Sequence, residues 1–175
     1  MNISIRKLQK EDIDQVIKIE EMAYGEHHWS RDSFINELDN NLSCYFAAVD
    51  ENNRLLGYIG SWFIFDEVHI TTVAVHKNFQ RQNIAHRLFL KLLEEAYKRM
   101  VKYLTLEVRV SNLPAISLYT AWGFKDVGVR KGYYQDNNED ALIMFSENIF
   151  HEKFKMIYNK YREKFAEEIN NDEKN

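Results

Sequence analysis

The segment from residue 67 to residue 110 constrains the fold more than any other part of the sequence. Residues 67–75, EVHITTVAV, are β-branched and mostly apolar, which is typical of a strand. Residues 81–99 then place apolar side chains at i, i+3 and i+4 spacing, which predicts a long amphipathic helix. Residues 103–110 are again predicted as a strand. This strand–helix–strand unit implies one parallel or crossover pairing in the sheet.

The other predicted strands are short apolar segments joined by polar turns, which favours antiparallel pairing. They lie near residues 3–5 and at residues 44–49, 54–65, 124–133 and 141–146. Two helices, the second capped by Ser30, separate the first strand from the next. The sequence therefore predicts an α+β domain over residues 1–147. Its sheet is mixed, mostly antiparallel and about seven-stranded, with flanking helices.

Residues 148–175 differ in pattern from the rest of the chain. One apolar stripe runs along a charged helix at steps of 4, 3, 4, 4 and 4 residues, through Phe150, Phe154, Ile157, Tyr161, Phe165 and Ile169. This predicts a C-terminal helical extension with a frayed end from residue 170. Because a stripe of large apolar residues is rarely left in water, we expect it to pack on its own domain or in a homodimer.

Composition narrows the functional classes. The single cysteine, Cys44, excludes an intrachain disulfide and a cysteine-based zinc site, which favours a reducing, cytoplasmic location. His27 and His28 lack a third ligand at suitable spacing, so no metal site is predicted. The formal charge of −4 argues against a general nucleic-acid binder. No secretory signal is predicted at the N-terminus, and no apolar run approaches the roughly 20 residues of a membrane helix.

The junction between the strand at 67–75 and the following helix predicts an anion site. Residues 80–85, QRQNIA, open the helix, and Arg81, His86, Arg87 and Lys91 lie in or near the junction. Unpaired backbone N–H groups and the positive end of the helix dipole attract anions, and the added basic residues suit a pyrophosphate. An ordinary charged helix start would give the same local pattern.

QRQNIA resembles the Q/R-x-x-G-x-G/A pyrophosphate loop of the GCN5-related N-acetyltransferases (GNAT). The motifs LEVR, SN, LY, GF and YY follow in order between residues 106 and 134, and they resemble the RimI branch, which acetylates protein N-terminal amines. A Trp-Ser pair at 29–30 is similar to the start of that branch's second helix. The resemblance covers residues 1–147. It departs at Asn83, which stands where the family has glycine, and Asn is the best substitute for a left-handed glycine.

The resemblance implies that acetyl-CoA is the cosubstrate. It assigns Val73, Ala74 and Val75 to the acetyl carbonyl and the pantetheine arm, and it assigns Asn112 to the pantetheine. The residues whose N–H groups would hold the pyrophosphate are Arg81, Gln82, Asn83, Ile84, Ala85 and His86.

The resemblance also implies two catalytic residues, Glu107 as general base and Tyr119 as general acid. The chemistry agrees, because an ammonium must lose a proton before it attacks, and the leaving thiolate needs a proton or a hydrogen bond. The alternatives are that Glu107 is a solvated strand residue and that Tyr119 is a core aromatic.

Four further residues are expected to contact the acceptor substrate or to assist the reaction. Trp29 lies in the loop before the second helix, and Tyr133 and Tyr134 match a pair that holds the substrate peptide in the RimI branch. His69 lies four residues before Val73, so strand alternation predicts that both side chains share one sheet face. There His69 would assist the base, or it would simply be solvated.

We therefore expect an acetyl-CoA-dependent N-acetyltransferase that acts on a protein N-terminal α-amine, with a ribosomal protein as a candidate acceptor. One alternative is a GNAT enzyme that acetylates a small amine or polyamine. The other is a CoA-binding interaction module that has lost catalysis.

Overall fold

A computed structural model describes the backbone of residues 1–172 and the side chains of residues 1–166. The strands are β1 Ser4–Lys7, β2 Ser43–Val49, β3 Leu55–Ile64, β4 Glu67–Val75, β5 Tyr103–Arg109, β6 Lys125–Tyr134 and β7 Glu139–Phe145. The helices are α1 Ile13–Tyr24, α2 Arg31–Asp39, α3 Ile84–Lys98, α4 Leu113–Ala121 and α5 Glu152–Asp172. The side chain of Ile169 and the expected frayed end fall largely outside the described residues.

The seven strands form one sheet in the order β1-β2-β3-β4-β5-β7-β6. The crossover through α3 makes β4 and β5 parallel, and the other five neighbouring pairs are antiparallel. The predicted α+β fold with one parallel pair is therefore confirmed. Ser30 also caps α2 as predicted, because its side chain accepts a hydrogen bond from the backbone N–H of Ser33.

The parallel pair separates before either of its strands ends. Pairing between β4 and β5 stops at Ile70 and Leu106, although β4 continues to Val75 and β5 to Arg109. Beyond that point β4 stays paired with β3, and β5 stays paired with β7. Each strand thus follows a different half of the twisted sheet, and a cleft opens between their carboxyl ends.

The two faces of the sheet carry separate hydrophobic cores. Helices α1 and α2 cover one face through residues such as Ile13, Val16 and Phe34. Helices α3, α4 and α5 cover the other, where Leu88 and Trp122 are fully buried. The cleft therefore lies where both helical layers meet the open edge of the split sheet.

The C-terminal stripe packs on the chain's own domain. Phe154 is 0% and Phe165 3% exposed, and Ile157 and Tyr161 pack against the same core. Burying each large side chain contributes roughly 1.5–3 kcal/mol. In the structure, therefore, the stripe packs within its own chain and is not left exposed for a homodimer.

Gly123 follows the C-cap residue of α4, Trp122, and ends the helix. Its φ is +85°, a conformation that glycine adopts without strain. A Cβ atom at this position would lie 3.0 Å from Cδ1 of Ile157 in α5. The glycine therefore both turns the chain and allows the C-terminal helix to approach closely.

Candidate active site

A cleft of about 970 Å³ occupies the gap between the separated ends of β4 and β5. Its walls come from the α1–α2 loop, β4, the start of α3, β5, α4 and β6. Most predicted site residues line it: Trp29, Val73, Val75, Arg81, Asn83, Ile84, Ala85, His86, Glu107, Asn112, Tyr119 and Tyr134. Residues that are distant in sequence are thus assembled around one cavity.

Four predicted site residues do not line the cleft, namely Ala74, Gln82, His69 and Tyr133. The side chain of Ala74 is buried in the α1–α2 core. Tyr133 is 46% exposed and packs edge-on against Tyr134 at 5.1 Å between ring centroids. Alternation along β6 explains the difference, because successive side chains point to opposite faces of a strand.

The loop before α3 is held in an unusual backbone conformation. Arg81 has φ +64°, and Asn83 has φ +59° and ψ +12°, which places both residues in the left-handed region. Asn83 thus adopts the conformation that the family glycine would favour. It sits at the N-cap of α3, so the N–H groups of the first turn, at Ile84, Ala85 and His86, have no partner within the helix, and these residues line the cleft.

Replacing Asn83 with glycine should leave acetyl-CoA affinity unchanged or increase it. Glycine populates the left-handed conformation without a Cβ penalty and removes a side chain beside the expected phosphates. Isothermal titration of both proteins with acetyl-CoA measures the effect. Asn78→Gly, in the turn just before this loop, controls for added backbone freedom. Clearly weaker binding by the Asn83→Gly variant would instead identify the Asn83 amide as a ligand.

The predicted placement of His69 is wrong. In the β3–β4 ladder Gly60 pairs with Thr72 and the next residue, Ser61, pairs with Ile70, so Thr71 is an extra, bulged residue. A bulge shifts strand alternation by one residue. His69 therefore lies on the sheet face opposite to Val73, which packs with the α3 core.

His69 instead lies beside Glu107, because it pairs with Thr105 of β5 and Glu107 is two residues further on the same face. The Nε2 atom of His69 lies 2.6 Å from Oε2 of Glu107, and Nε of Arg130 lies 3.4 Å from Oε1. The hydrogen bond from His69 is the largest cause that holds the pKa of Glu107 below its usual value. Glu107 is consequently a carboxylate at neutral pH, hydrogen-bonded to the ring of His69.

Tyr119 serves the core and the cleft at once. Its ring packs between Phe89 and Phe124, at centroid distances of 6.1 and 5.7 Å, and only 5% of the residue is exposed. Burial raises the pKa of its hydroxyl, so the phenol keeps its proton at neutral pH. The two sequence interpretations of Tyr119, core aromatic and proton donor, are therefore compatible.

Two groups that are expected to contact pantetheine already make hydrogen bonds within the protein. Oδ1 of Asn112 accepts from the backbone N–H of Ala115 at 3.2 Å and caps α4. Its side-chain NH₂ group is the part that a cofactor would meet. The carbonyl of Val73 accepts from the hydroxyl of Tyr24 at 3.3 Å. The α1 helix is thus tied to the cleft wall.

Glu20 is a cleft residue that the sequence analysis missed. It is 2% exposed, and its carboxylate accepts hydrogen bonds from the Tyr58 hydroxyl and from the backbone N–H of Trp29, the latter at 3.3 Å. Burial raises the pKa of Glu20 to about 7. The signal in the sequence is an acid at an apolar-stripe position of α1, seven residues after Ile13 and four after Val16.

Ionising Glu20 is expected to destabilise the fold as the pH rises. Its pKa is about 7 when folded and near 4.5 when unfolded, so stability falls between these values and changes no further above them. Glu20→Gln, whose amide oxygen can accept from the backbone N–H of Trp29 while its NH₂ donates to the Tyr58 hydroxyl oxygen, should be less pH-dependent and gain about 1–3 kcal/mol over the wild type between pH 5 and pH 8. Urea unfolding at several pH values measures the difference.

The matched control for this prediction is Glu21→Gln, whose side chain is 58% exposed. It should follow the wild-type pH dependence. If Glu20→Gln follows it as well, the buried carboxyl does not titrate in this range.

The described part of the chain was expected to have neither a metal site nor a membrane-spanning helix, and both can be examined directly. Among the side chains of residues 1–166, no three His, Cys, Asp or Glu are grouped so that they could hold a metal ion. No described helix is both long and apolar enough to cross a membrane.

The chain matches the family model of the acetyltransferase (GNAT) family over residues 6–124. It is 38% identical over 142 residues to a Bacillus subtilis (strain 168) protein provisionally named a ribosomal protein bS18-alanine N-acetyltransferase, covering 81% of this chain and 93% of that one. It is 34% identical over 158 residues to an N-alpha-acetyltransferase of Saccharolobus solfataricus, covering 82% and 92%.

A solved structure agrees with these relatives. The ribosomal-protein-S18-alanine N-acetyltransferase from Escherichia coli superimposes with a TM-score of 0.76 at 31% identity, covering 84% of this chain and 94% of that one. The chain therefore belongs to the acetyltransferase (GNAT) family, and the prediction of an N-acetyltransferase is confirmed.

Proposed function

We propose that the protein transfers the acetyl group of acetyl-CoA to the N-terminal α-amine of a protein. The observation that carries this proposal is that one cleft, between β4 and β5, is lined by the residues needed for both cofactor binding and proton transfer. An anion-binding helix start lies at one part of the cleft, and a carboxylate and a neutral phenol, Glu107 and Tyr119, lie at another. Relatives named for N-terminal acetylation support the same reaction.

The cofactor half of the cleft runs from β4 to the start of α3. The edge of β4 at Val73–Val75 is unpaired on the side of β5, so its backbone groups can bind the pantetheine amides. The turn from Arg81 to His86 offers N–H groups and a guanidinium to the pyrophosphate. Asn112 contributes its amide NH₂ from the opposite wall. The bound thioester would then lie between the two strands.

The acceptor half of the cleft suits a cationic amine carried on a peptide. Glu20 and Glu107 place two carboxyl groups on its wall, which favours an incoming ammonium. Trp29, Tyr24 and Tyr134 supply aromatic surface around them. Tyr134 is held in place by Arg109, whose guanidinium lies 3.9 Å from the ring centroid. We propose that these aromatic residues hold the first residues of the peptide.

The proposed reaction is direct attack in a ternary complex. The α-ammonium loses one proton to Glu107, directly or through water, and the neutral nitrogen attacks the acetyl carbonyl carbon. The carbon–sulfur bond then breaks, and the thiolate of CoA takes a proton or a hydrogen bond from Tyr119. The new amide nitrogen releases its second proton to solvent. The products are an N-acetylated peptide and CoA.

The geometry disfavours a module that has lost catalysis, because both candidate catalytic side chains line the cavity. By analogy with the bacterial relatives, we propose a ribosomal protein as the acceptor, and hence a reaction in the cytoplasm. No feature of the cleft specifically favours a polyamine.

The test is acetyl transfer to defined acceptors, followed by thiol release and mass spectrometry. The acceptors are a peptide with a free N-terminal alanine, the same peptide with a blocked N-terminus and an internal lysine, and spermidine. The proposal expects turnover on the first alone, with the acetyl group on the α-nitrogen. Turnover on spermidine alone would support the small-amine alternative. Acetyl-CoA binding without turnover on any acceptor would contradict N-terminal acetylation of such peptides.

A further inference from the structure

The C-terminal helix reaches the expected cofactor loop through one side chain. Tyr161 of α5 stacks on the ring of His86, with centroids 4.8 Å apart and planes 20° apart. It also stacks on Trp122, at 4.2 Å and 28°. His86 belongs to the first turn of α3 and lines the cleft. A segment outside the matched family region, which ends at residue 124, therefore contacts the start of α3.

A hydrogen bond completes this arrangement. The Nε1–H group of Trp122 donates to Nδ1 of His86 at 3.1 Å, so that nitrogen carries no proton. Burial is the main cause that lowers the pKa of His86, which keeps the ring neutral and able to accept this bond. Trp122 is fully buried, so it offers His86 a fixed support. Tyr161 contacts both rings and joins them to α5.

The next residue of α3 also contacts α5. The guanidinium of Arg87 lies 5.3 Å from the ring centroid of Phe165, which is itself buried. Two consecutive residues in the first turn of α3 thus rest on aromatic side chains of the extension. These contacts act close to Arg81 and Asn83, whose left-handed conformations require support from their surroundings.

We propose that α5 positions the start of α3 for acetyl-CoA, with Tyr161 acting through His86 as the positioning residue. The inference rests on the proposed function in taking acetyl-CoA as the ligand of this loop. Backbone N–H groups bind a phosphate best when they are fixed before the ligand arrives, because ordering them on binding costs affinity. The extension supplies that order without touching the reacting atoms.

Tyr161→Ala tests the proposal in the full-length protein. Loss of its ring contacts should weaken acetyl-CoA binding about three- to tenfold. The KM for acetyl-CoA should rise by a similar factor, while kcat and the KM for the peptide stay near wild type. Tyr161→Phe keeps the ring and should restore wild-type affinity. Titration calorimetry and steady-state kinetics measure these quantities.

Tyr158→Ala is the matched control. Tyr158 lies one turn earlier on α5 and packs on Tyr97, at the far end of α3 from the loop, with ring centroids 4.8 Å apart. Its loss should lower thermal stability without changing acetyl-CoA affinity. Tyr161→Leu, which retains apolar packing but not the stack, provides a second variant if the alanine protein folds poorly, and it should also bind acetyl-CoA more weakly.

Three results would overturn the inference. Wild-type affinity in folded Tyr161→Ala or Tyr161→Leu would show that the stack does not position the loop. Equal weakening by Tyr158→Ala would show that α5 acts only through general stability. A wild-type protein that fails to bind acetyl-CoA would overturn the proposed function together with this inference, so the two failures are distinguishable.

Discussion

Replacing Tyr119 with phenylalanine is expected to lower kcat about 10²–10⁴-fold, the usual range for loss of a general acid. The ring should remain between Phe89 and Phe124, so the fold and the cofactor cleft should persist. Acetyl-CoA affinity should stay close to the wild-type value, because the variant loses only a hydroxyl. Single-turnover kinetics at saturating acetyl-CoA, together with calorimetric titration, separate the chemical step from binding.

Tyr103→Phe is the matched control for this variant. Tyr103 lies on β5, packs against Phe145 and does not line the cleft, so loss of its hydroxyl should leave kcat unchanged. The role assigned to Tyr119 would be excluded if Tyr119→Phe kept more than about half of the activity. A solvent water would then be the better candidate for protonating the thiolate.

The architecture was predictable because its signals are local. The helical periodicity of α3 between two apolar strands required a crossover, and a crossover required the parallel pair β4–β5. The left-handed conformation of Asn83 was predictable for a similar reason, since an asparagine at a glycine position of a known loop indicates that conformation. Short polar turns located two of the three hairpins, β2–β3 and β6–β7.

The position of His69 was not predictable, because the bulge at Thr71 depends on how β4 pairs with β3. Six of the nine residues of EVHITTVAV are β-branched, and the segment carries no regular alternation that could reveal an extra residue. Register is set by tertiary pairing, and a shift of one residue moves every side chain to the other face. That shift is what separates His69 from the face of Val73.

The sequence also could not place α5. Its apolar stripe predicts that one face of the helix is buried, but it does not indicate which surface covers that face. Tyr161 and His86, which stack on each other, are 75 residues apart in the sequence. Glu20 was missed although its signal is local, because one acid on the apolar side of an amphipathic helix does not by itself indicate a site. The roles of Tyr161 and Glu20 become visible only when the cleft is seen in three dimensions.

Replacing Glu107 with glutamine is expected to lower kcat about 10²–10⁴-fold at neutral pH, with little change in acetyl-CoA affinity. The amide can still accept a hydrogen bond from His69, so the local geometry is retained while the base is lost. The interaction with Arg130 at 3.4 Å weakens, but that arginine is more than half exposed and can be solvated. Turnover of the N-terminal alanine peptide measures the loss.

The pH dependence distinguishes a proton acceptor from a merely structural residue. Because its pKa is lowered, Glu107 is ionised through the neutral range and can take the proton of a bound ammonium, so the wild-type rate should change little across the pKa of the peptide amine, near pH 8. In Glu107→Gln only amine that is already neutral reacts, so the deficit should shrink as the pH passes this value. A deficit that is constant from pH 6 to pH 9 would indicate a structural role.

Two further variants identify which member of the His69–Glu107 pair takes the proton. His69→Asn keeps a hydrogen-bond donor for Glu107 and should retain most of the activity if Glu107 is the base. If His69→Asn is as impaired as Glu107→Gln, the base is the pair, with Glu107 orienting His69. Glu94→Gln, on the exposed face of α3 beside Lys91, controls for the loss of one negative charge and should behave as wild type. Activity above about half of wild type in Glu107→Gln would remove Glu107 from the mechanism.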